Sequence, residues 1–173
     1  AMLSMELLLE DNPKKASGIA HEINRINVER QELGNLVGEE AFLKIDNISD
    51  NKLILLSSKG WHPGVIGIVA SRIAEKFHKP TILISIEDEF CRGSARSIED
   101  FDVYNLLKSC SDLFADFGGH KDAAGFEILA KNIPRLEERL SIEVNGNLTK
   151  EILEPKTKID LERSKITAES SII

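Results

Sequence analysis

Residues 81–86 (TILISI) make the sharpest demand on the fold, because an uncharged, β-branched run of this kind is a central strand in character. Upstream, 53–57 (LILLS) is a short apolar run between polar ends and reads as a second buried strand. Between them lie a Trp61-His62-Pro63-Gly64 loop and residues 65–77, where Val65, Ile68, Val69, Ile73 and Phe77 share one helical face. Strand, loop, helix and strand in that order predict a βαβ unit with a right-handed crossover.

The rest of the chain attaches to that unit. Residues 13–33 read as a long exposed helix opened by Pro13, with Ala16, Ile19, Ala20, Ile23, Ile26 and Leu33 at helical spacing. Gly34 and Gly38 interrupt it, and a weaker helical pattern resumes over 39–48 with Ala41, Phe42, Ile45 and Ile48 on one side. Residues 90–97 read as a further strand, with Gly93 a weak point or a place of close approach. Val103, Leu106, Leu107, Cys110, Leu113, Phe114 and Phe117 predict a helix over 101–117 that Gly118-Gly119 stops. Residues 126–130 read as a strand, and Asn132 as the cap of a helix over 133–144. In the polar remainder, Ile159-Asp160-Leu161 reads as a strand without an obvious partner. The expected architecture is one α/β domain, a mixed β-sheet of about four or five strands flanked by helices, with an N-terminal connector helix. Both ends look cut, and Ala1-Met2 resembles a cloning remnant ahead of an internal segment.

Charge and composition remove several functions. The net charge is −7 and no third of the chain is net basic, so diffuse attraction to nucleic acid is excluded and any phosphate needs a small, shaped site. No apolar run approaches the roughly 18 residues of a membrane span. The start of the chain lacks a basic region and a cleavage-type ending, which argues against a secretory signal. Cys91 and Cys110 are too few for a disulfide framework or a Cys-rich zinc site and fit a reducing cytoplasm. His21, His62, His78 and His120 show no metal-ligand spacing, and there is no HExxH, GxSxG or GxxxxGK[ST] pattern.

Three loops are chemically equipped. In 61–67 (WHPGVIG), Pro and Gly at a helix start leave backbone N–H groups able to face an anion, with His62 as an added donor; the alternative is a tight turn with Trp61 in the core. In 92–97 (RGSARS), Arg92, Ser94 and Arg96 would share one strand face, as suits a terminal phosphate; the alternative is a solvated edge that pairs with Glu89 or Glu99. In 118–126 (GGHKDAAGF), Gly118 and Gly119 let backbone approach a ligand, and His120 at the tip suits a phosphoryl oxygen or proton transfer; the alternative is a helix stop followed by an exposed His.

Taken together and in this order, 60–72 (GWHPGVIGIVASR), 93–98 (GSARSI) and 118–126 (GGHKDAAGF) resemble the DHH-associated domain of the DHH phosphoesterase superfamily. Within it they are most similar to its single-stranded-DNA-specific 5′→3′ exonucleases. Leu7–Leu9 and the run Ile26-Asn27-Val28-Glu29-Arg30-Gln31 resemble that group's connector helix, where Asn27 and Val28 depart from its Asn-Arg-x-Arg-Gln ending and Arg30-Gln31 keep it.

The resemblance implies a division of labour. A DHH domain holds two Mn²⁺ or Mg²⁺ ions that activate water, and the DHH-associated domain holds the nucleotide from the other side. No Asp-His-His triplet occurs in this chain, so the fragment is expected to bind no metal and to be inactive alone. Residues 1–12 would end the missing DHH domain, 13–48 form the connector, 49–147 the substrate-binding domain and 148–173 a linker toward a missing oligonucleotide-binding domain. By position, Ser94 and Arg96, with Arg92 near them and Arg30 as a helper, would grip a 5′ phosphate. His120, presented by Gly118 and Gly119, would approach the scissile phosphate as the catalytic contribution, and His62 would shape the pocket floor. The implied partner is single-stranded DNA in a cytoplasmic repair and recombination enzyme. Exposed apolar surface on connector and tail makes a dimer of the fragment a further expectation. Alternatives are another DHH-family phosphoesterase (a nanoRNase, a nucleotide phosphatase or a cyclic-dinucleotide phosphodiesterase) or a non-catalytic interaction domain.

Overall fold

A computed structural model describes residues 2–45 and 51–156. Helices α1 (Met2–Leu9) and α2 (Pro13–Ile45) precede β1 (Ile54–Lys59), α3 (Pro63–Phe77) and β2 (Thr81–Ile86). Then come β3 (Phe90–Arg96), α4 (Val103–Lys108), β4 (Phe114–His120), β5 (Ala123–Leu129), α5 (Ile133–Asn147) and α6 (Lys150–Leu153). The strands form one mixed sheet in the order β1-β2-β3-β5-β4. β1 and β2 run parallel and the other neighbours antiparallel.

The TILISI run is buried as its composition requires. Ile82 and Ile84 enter a core with Val103, Leu107, Leu136 and Leu140 of α4 and α5. Leu83 enters the opposite core with Ile54, Leu56, Val65, Val69 and Ile73, which Val37, Ala41 and Ile45 of α2 close. On that second face α3 lies over β2 and β3. Beside the N-terminus of α3, β3, β5 and β4 line an open cleft.

Several boundaries differ from the sequence expectation. α2 runs unbroken through Gly34 and Gly38, which lie on its buried face. A helical glycine costs about 1 kcal/mol against alanine, and burial of Val37, Ala41 and Ile45 offsets it. α3 begins at Pro63, because His62 is its N-cap and accepts the Gly64 N–H on Nδ1 at 3.0 Å.

The expected helix over 101–117 is the largest correction. It stops at Lys108, makes a 3-10 turn over Ser111–Leu113, and continues as β4. Phe114 and Phe117 sit at helical spacing, but they stack on each other at 5.5 Å as strand residues, and Phe117 stacks on Tyr104 at 4.9 Å. Gly118-Gly119 is therefore strand and not a helix stop, and β5 opens at Ala123 after a two-residue turn. Asn132 makes no side-chain cap, and its amide donates to the Leu113 carbonyl instead. Ile48 and the strand expected at 159–161 lie outside the described residues.

Candidate functional site

The cleft is built on strand periodicity. β3 turns Cys91 and Ala95 into the α4–α5 core, which leaves Arg92, Ser94 and Arg96 on the α3 face. Cross-strand register then extends three rows. Glu127 lies beside Arg92, Gly125 beside Ser94 and Ala123 beside Arg96, with Asp116, Gly118 and His120 next on β4. A register shift between Phe114 and Asp116 sets the carboxylate on this face. The middle row carries no side chain beyond Ser94, so the surface there is bare backbone at Gly125 and, next to it, Gly118. His62, Pro63, Gly64 and Ile66 form the opposite wall of a cleft of ≈ 620 Å³.

Arg96 lies one layer behind that wall. Its Nη1 donates to Ser94 Oγ at 3.0 Å and to the Ala95 carbonyl at 2.7 Å, and its Nε donates to Ser71 Oγ at 3.1 Å. Burial pushes its pKa below the ordinary arginine value, yet a guanidinium stays charged. Because Ser94 Oγ accepts from Arg96, its own hydrogen is left to donate, and Ser94 lines the cleft. A charged donor thus polarises the hydroxyl of a residue that borders the cleft.

Arg92 is exposed on the rim, with Nε 3.9 Å from Glu127. It pairs with neither Glu89 nor Glu99, and at that exposure the pair holds it only weakly. At the helix start the tight-turn alternative is the one realised. Gly64 N–H is taken by His62 and Val65 N–H by the His62 carbonyl at 3.0 Å, while Trp61 is buried. The cap uses the Nδ1 lone pair, which leaves the His62 proton on Nε2.

Residues 16–145 match the DHHA1 domain family. The chain belongs to that family. Among curated proteins, this DHHA1 chain is 35% identical over 161 residues to the single-stranded-DNA-specific exonuclease RecJ of Bacillus subtilis, covering 91% of the chain and 20% of RecJ. It is 34% identical over 137 residues to RecJ of Thermus thermophilus, covering 79% and 20%. The chain thus spans about a fifth of the length of the curated relatives it matches. A crystal structure of Thermus thermophilus RecJ with Mn²⁺ superposes with a TM-score of 0.77 at 32% identity, over 84% of this chain and 22% of that one. A manganese-bound exonuclease RecJ gives 0.74 at 32% identity, over 83% and 36%.

Not every expected residue of this DHHA1 domain reaches the cleft. His62, Arg92 and Ser94 line it, and Arg96 backs Ser94. Gly118 flanks its floor opposite Gly125. Gly119 serves the hairpin instead, since its φ is +150° and a Cβ there would lie 2.4 Å from the Ala123 carbonyl oxygen. His120 stands exposed at the hairpin tip, with Nδ1 3.4 Å from the Asp122 N–H, outside the cleft wall. Arg30 lies on the exposed part of α2 and donates to Asn27 Oδ1 at 2.8 Å.

Asp116, Glu127 and Ser71 are not among the residues the sequence singles out, and Gly125 stands there only in a small-residue run suited to tight packing. Asp116, Gly118 and His120 share a spacing of two, which signals one strand face once 114–120 is read as strand. Among the described residues there is no group of three or more His, Cys, Asp or Glu that could hold a metal ion. No helix among them is long and apolar enough to cross a membrane.

Proposed function

We propose that this DHHA1 domain is the substrate-holding part of a single-stranded-DNA-specific 5′→3′ exonuclease, inactive alone, that grips the 5′-terminal phosphate on the β3–β5–β4 face. The observation that carries the reading is the Arg96–Ser94 bond, which polarises a hydroxyl beside a row of bare glycine backbone. Arg92 supplies a second cation from the rim. Asp116 and Glu127 line the same cleft and repel further phosphates, which suits one terminal group better than a continuous backbone. The names of the RecJ relatives supply the substrate class.

Catalysis then belongs to a DHH domain carrying Mn²⁺ or Mg²⁺, outside these residues. His120 closes on the scissile phosphate from the opposite side and offsets its charge, and Arg30 meets the strand from the connector, once that domain is docked. In this reading 1–12 end the DHH domain, 13–48 are the connector, 49–147 the binding domain and 148–173 the run toward an oligonucleotide-binding domain. The cell compartment is the cytoplasm, and a second copy covers exposed apolar residues of the connector, such as Leu36 and Leu43, when the chain is isolated.

Binding of 5′-phosphorylated and 5′-hydroxyl single-stranded oligonucleotides to the 173-residue chain tests this at low salt. The expected result is about tenfold tighter binding of the phosphorylated end, lost in Ser94→Ala and Arg96→Ala. Equal binding of both ends overturns it.

A further inference from the structure

The proposed phosphate grip is held from behind by two residues of α3, Ser71 and Gly67, that lie outside the cleft lining. Ser71 of α3 donates its hydroxyl hydrogen to the Gly67 carbonyl at 3.1 Å, one turn back. That fixes the rotamer and points the Oγ lone pairs at β3, where one accepts Arg96 Nε at 3.1 Å. Arg96 then donates to Ser94 at 3.0 Å. Arg96 is the donor on both sides, through Nε to Ser71 and through Nη1 to Ser94.

Gly67 completes the seat. An added Cβ there would lie 2.8 Å from Arg96 Nη2, so the guanidinium would have to move, and 3.0 Å from Ser94 Oγ, a tight contact. The guanidinium therefore lies directly against the α3 backbone, and no other residue type leaves it that position.

We propose that Ser71 and Gly67 are positioning residues for 5′-phosphate recognition, a role that rests on the function proposed above. Ser71 sets the orientation of the Arg96 plane, and Gly67 sets its depth. Without them Arg96 keeps its charge but loses the geometry that delivers it to Ser94.

The variants separate positioning from folding. Ser71→Ala removes the acceptor for Nε and improves helix propensity, so the fold is retained. Its preference for a 5′-phosphorylated over a 5′-hydroxyl oligonucleotide should fall about tenfold, with affinity for the hydroxyl end unchanged. Ser71→Thr keeps the hydroxyl and should restore the preference. Gly67→Ala forces the Arg96 guanidinium off its seat, so the preference should fall as in Ser71→Ala, while the fold survives because the displaced atom is the free end of a side chain and alanine favours the helix. The Arg96 Nε–H signal in NMR should exchange slowly with water in wild type and Ser71→Thr, and rapidly in Ser71→Ala.

Full preference in Ser71→Ala, against a wild type that discriminates, overturns the positioning role and leaves the proposed function standing. No discrimination in wild type overturns the function and this role with it. Failure of Ser71→Thr to rescue, with the fold intact, also overturns the positioning role.

Discussion

Trp61 donates its indole N–H to the carboxylate of Glu40 across 2.9 Å, tying the loop that walls the cleft to the long α2 helix. Ser58 Oγ donates to the same carboxylate at 2.6 Å, and Lys44 lies 2.8 Å away. The Lys44 bond first, then Ser58 and Trp61, hold the Glu40 pKa down at about 2, against an ordinary 4.5. A depressed carboxylate pKa gives stability that is complete above the unfolded value and fades as pH falls through the folded one. Glu40→Gln should therefore lower the urea midpoint at pH 7, and the gap should close between pH 4.5 and about 2. With the Glu40 side chain 44% exposed, the cost at neutral pH is about 1 kcal/mol. A gap unchanged at low pH contradicts the assignment.

Gly118 and Gly119 are neighbours with opposite tolerances. Gly119→Ala forces a side chain into a positive-φ position and against the Ala123 carbonyl, a loss of about 1–3 kcal/mol. At this chain length each kcal/mol lowers the thermal midpoint by about 2–4 °C. Gly118→Ala meets nothing within 4 Å, so its midpoint should hold while its Cβ rises into the ligand space and weakens oligonucleotide binding. Calorimetry and binding on the same two variants read both effects.

Gly93 lies under the Phe126 ring, where an added Cβ would fall 2.0 Å from the ring edge. Gly93→Ala should cost about 1–3 kcal/mol by overpacking. Combining it with Phe126→Leu should recover part of that loss, because the two changes share one space. Additive losses in a double-mutant cycle would contradict the contact.

Asp116 and Glu127 carry negative charge into the cleft beside Arg92. Asp116→Asn and Glu127→Gln should each tighten binding of a 5′-phosphorylated strand, by about two- to fivefold at low salt. The gain should shrink as ionic strength rises, since these groups are exposed. A loss of affinity would mean that the carboxylates contact the ligand directly.

What was legible followed from residues with one physical solution. TILISI has no charged side chain on either face, and it is buried in the sheet as β2, parallel to β1. Arg92, Ser94 and Arg96 alternate along a strand, so their common face was readable without coordinates. The segment 101–117 was not, because Phe114 and Phe117 satisfy helical spacing and also the stacked ring cluster of a strand. That misreading hid the Asp116–Gly118–His120 face. The Ser71 contact was out of reach for a different reason. It joins residues 25 positions apart, and only the packing of α3 on β3 brings them together.

Chemical-shift mapping of the 173-residue chain with a 5′-phosphorylated single-stranded oligonucleotide tests the central claim most directly. The account predicts the largest backbone changes at Ser94, Gly125 and Gly118, with a shifted Arg96 Nε–H and smaller changes when the 5′ end is a hydroxyl. Changes centred instead on the opposite face, around Leu55, Glu137 and Ser141, or identical maps for the two ends, would contradict it.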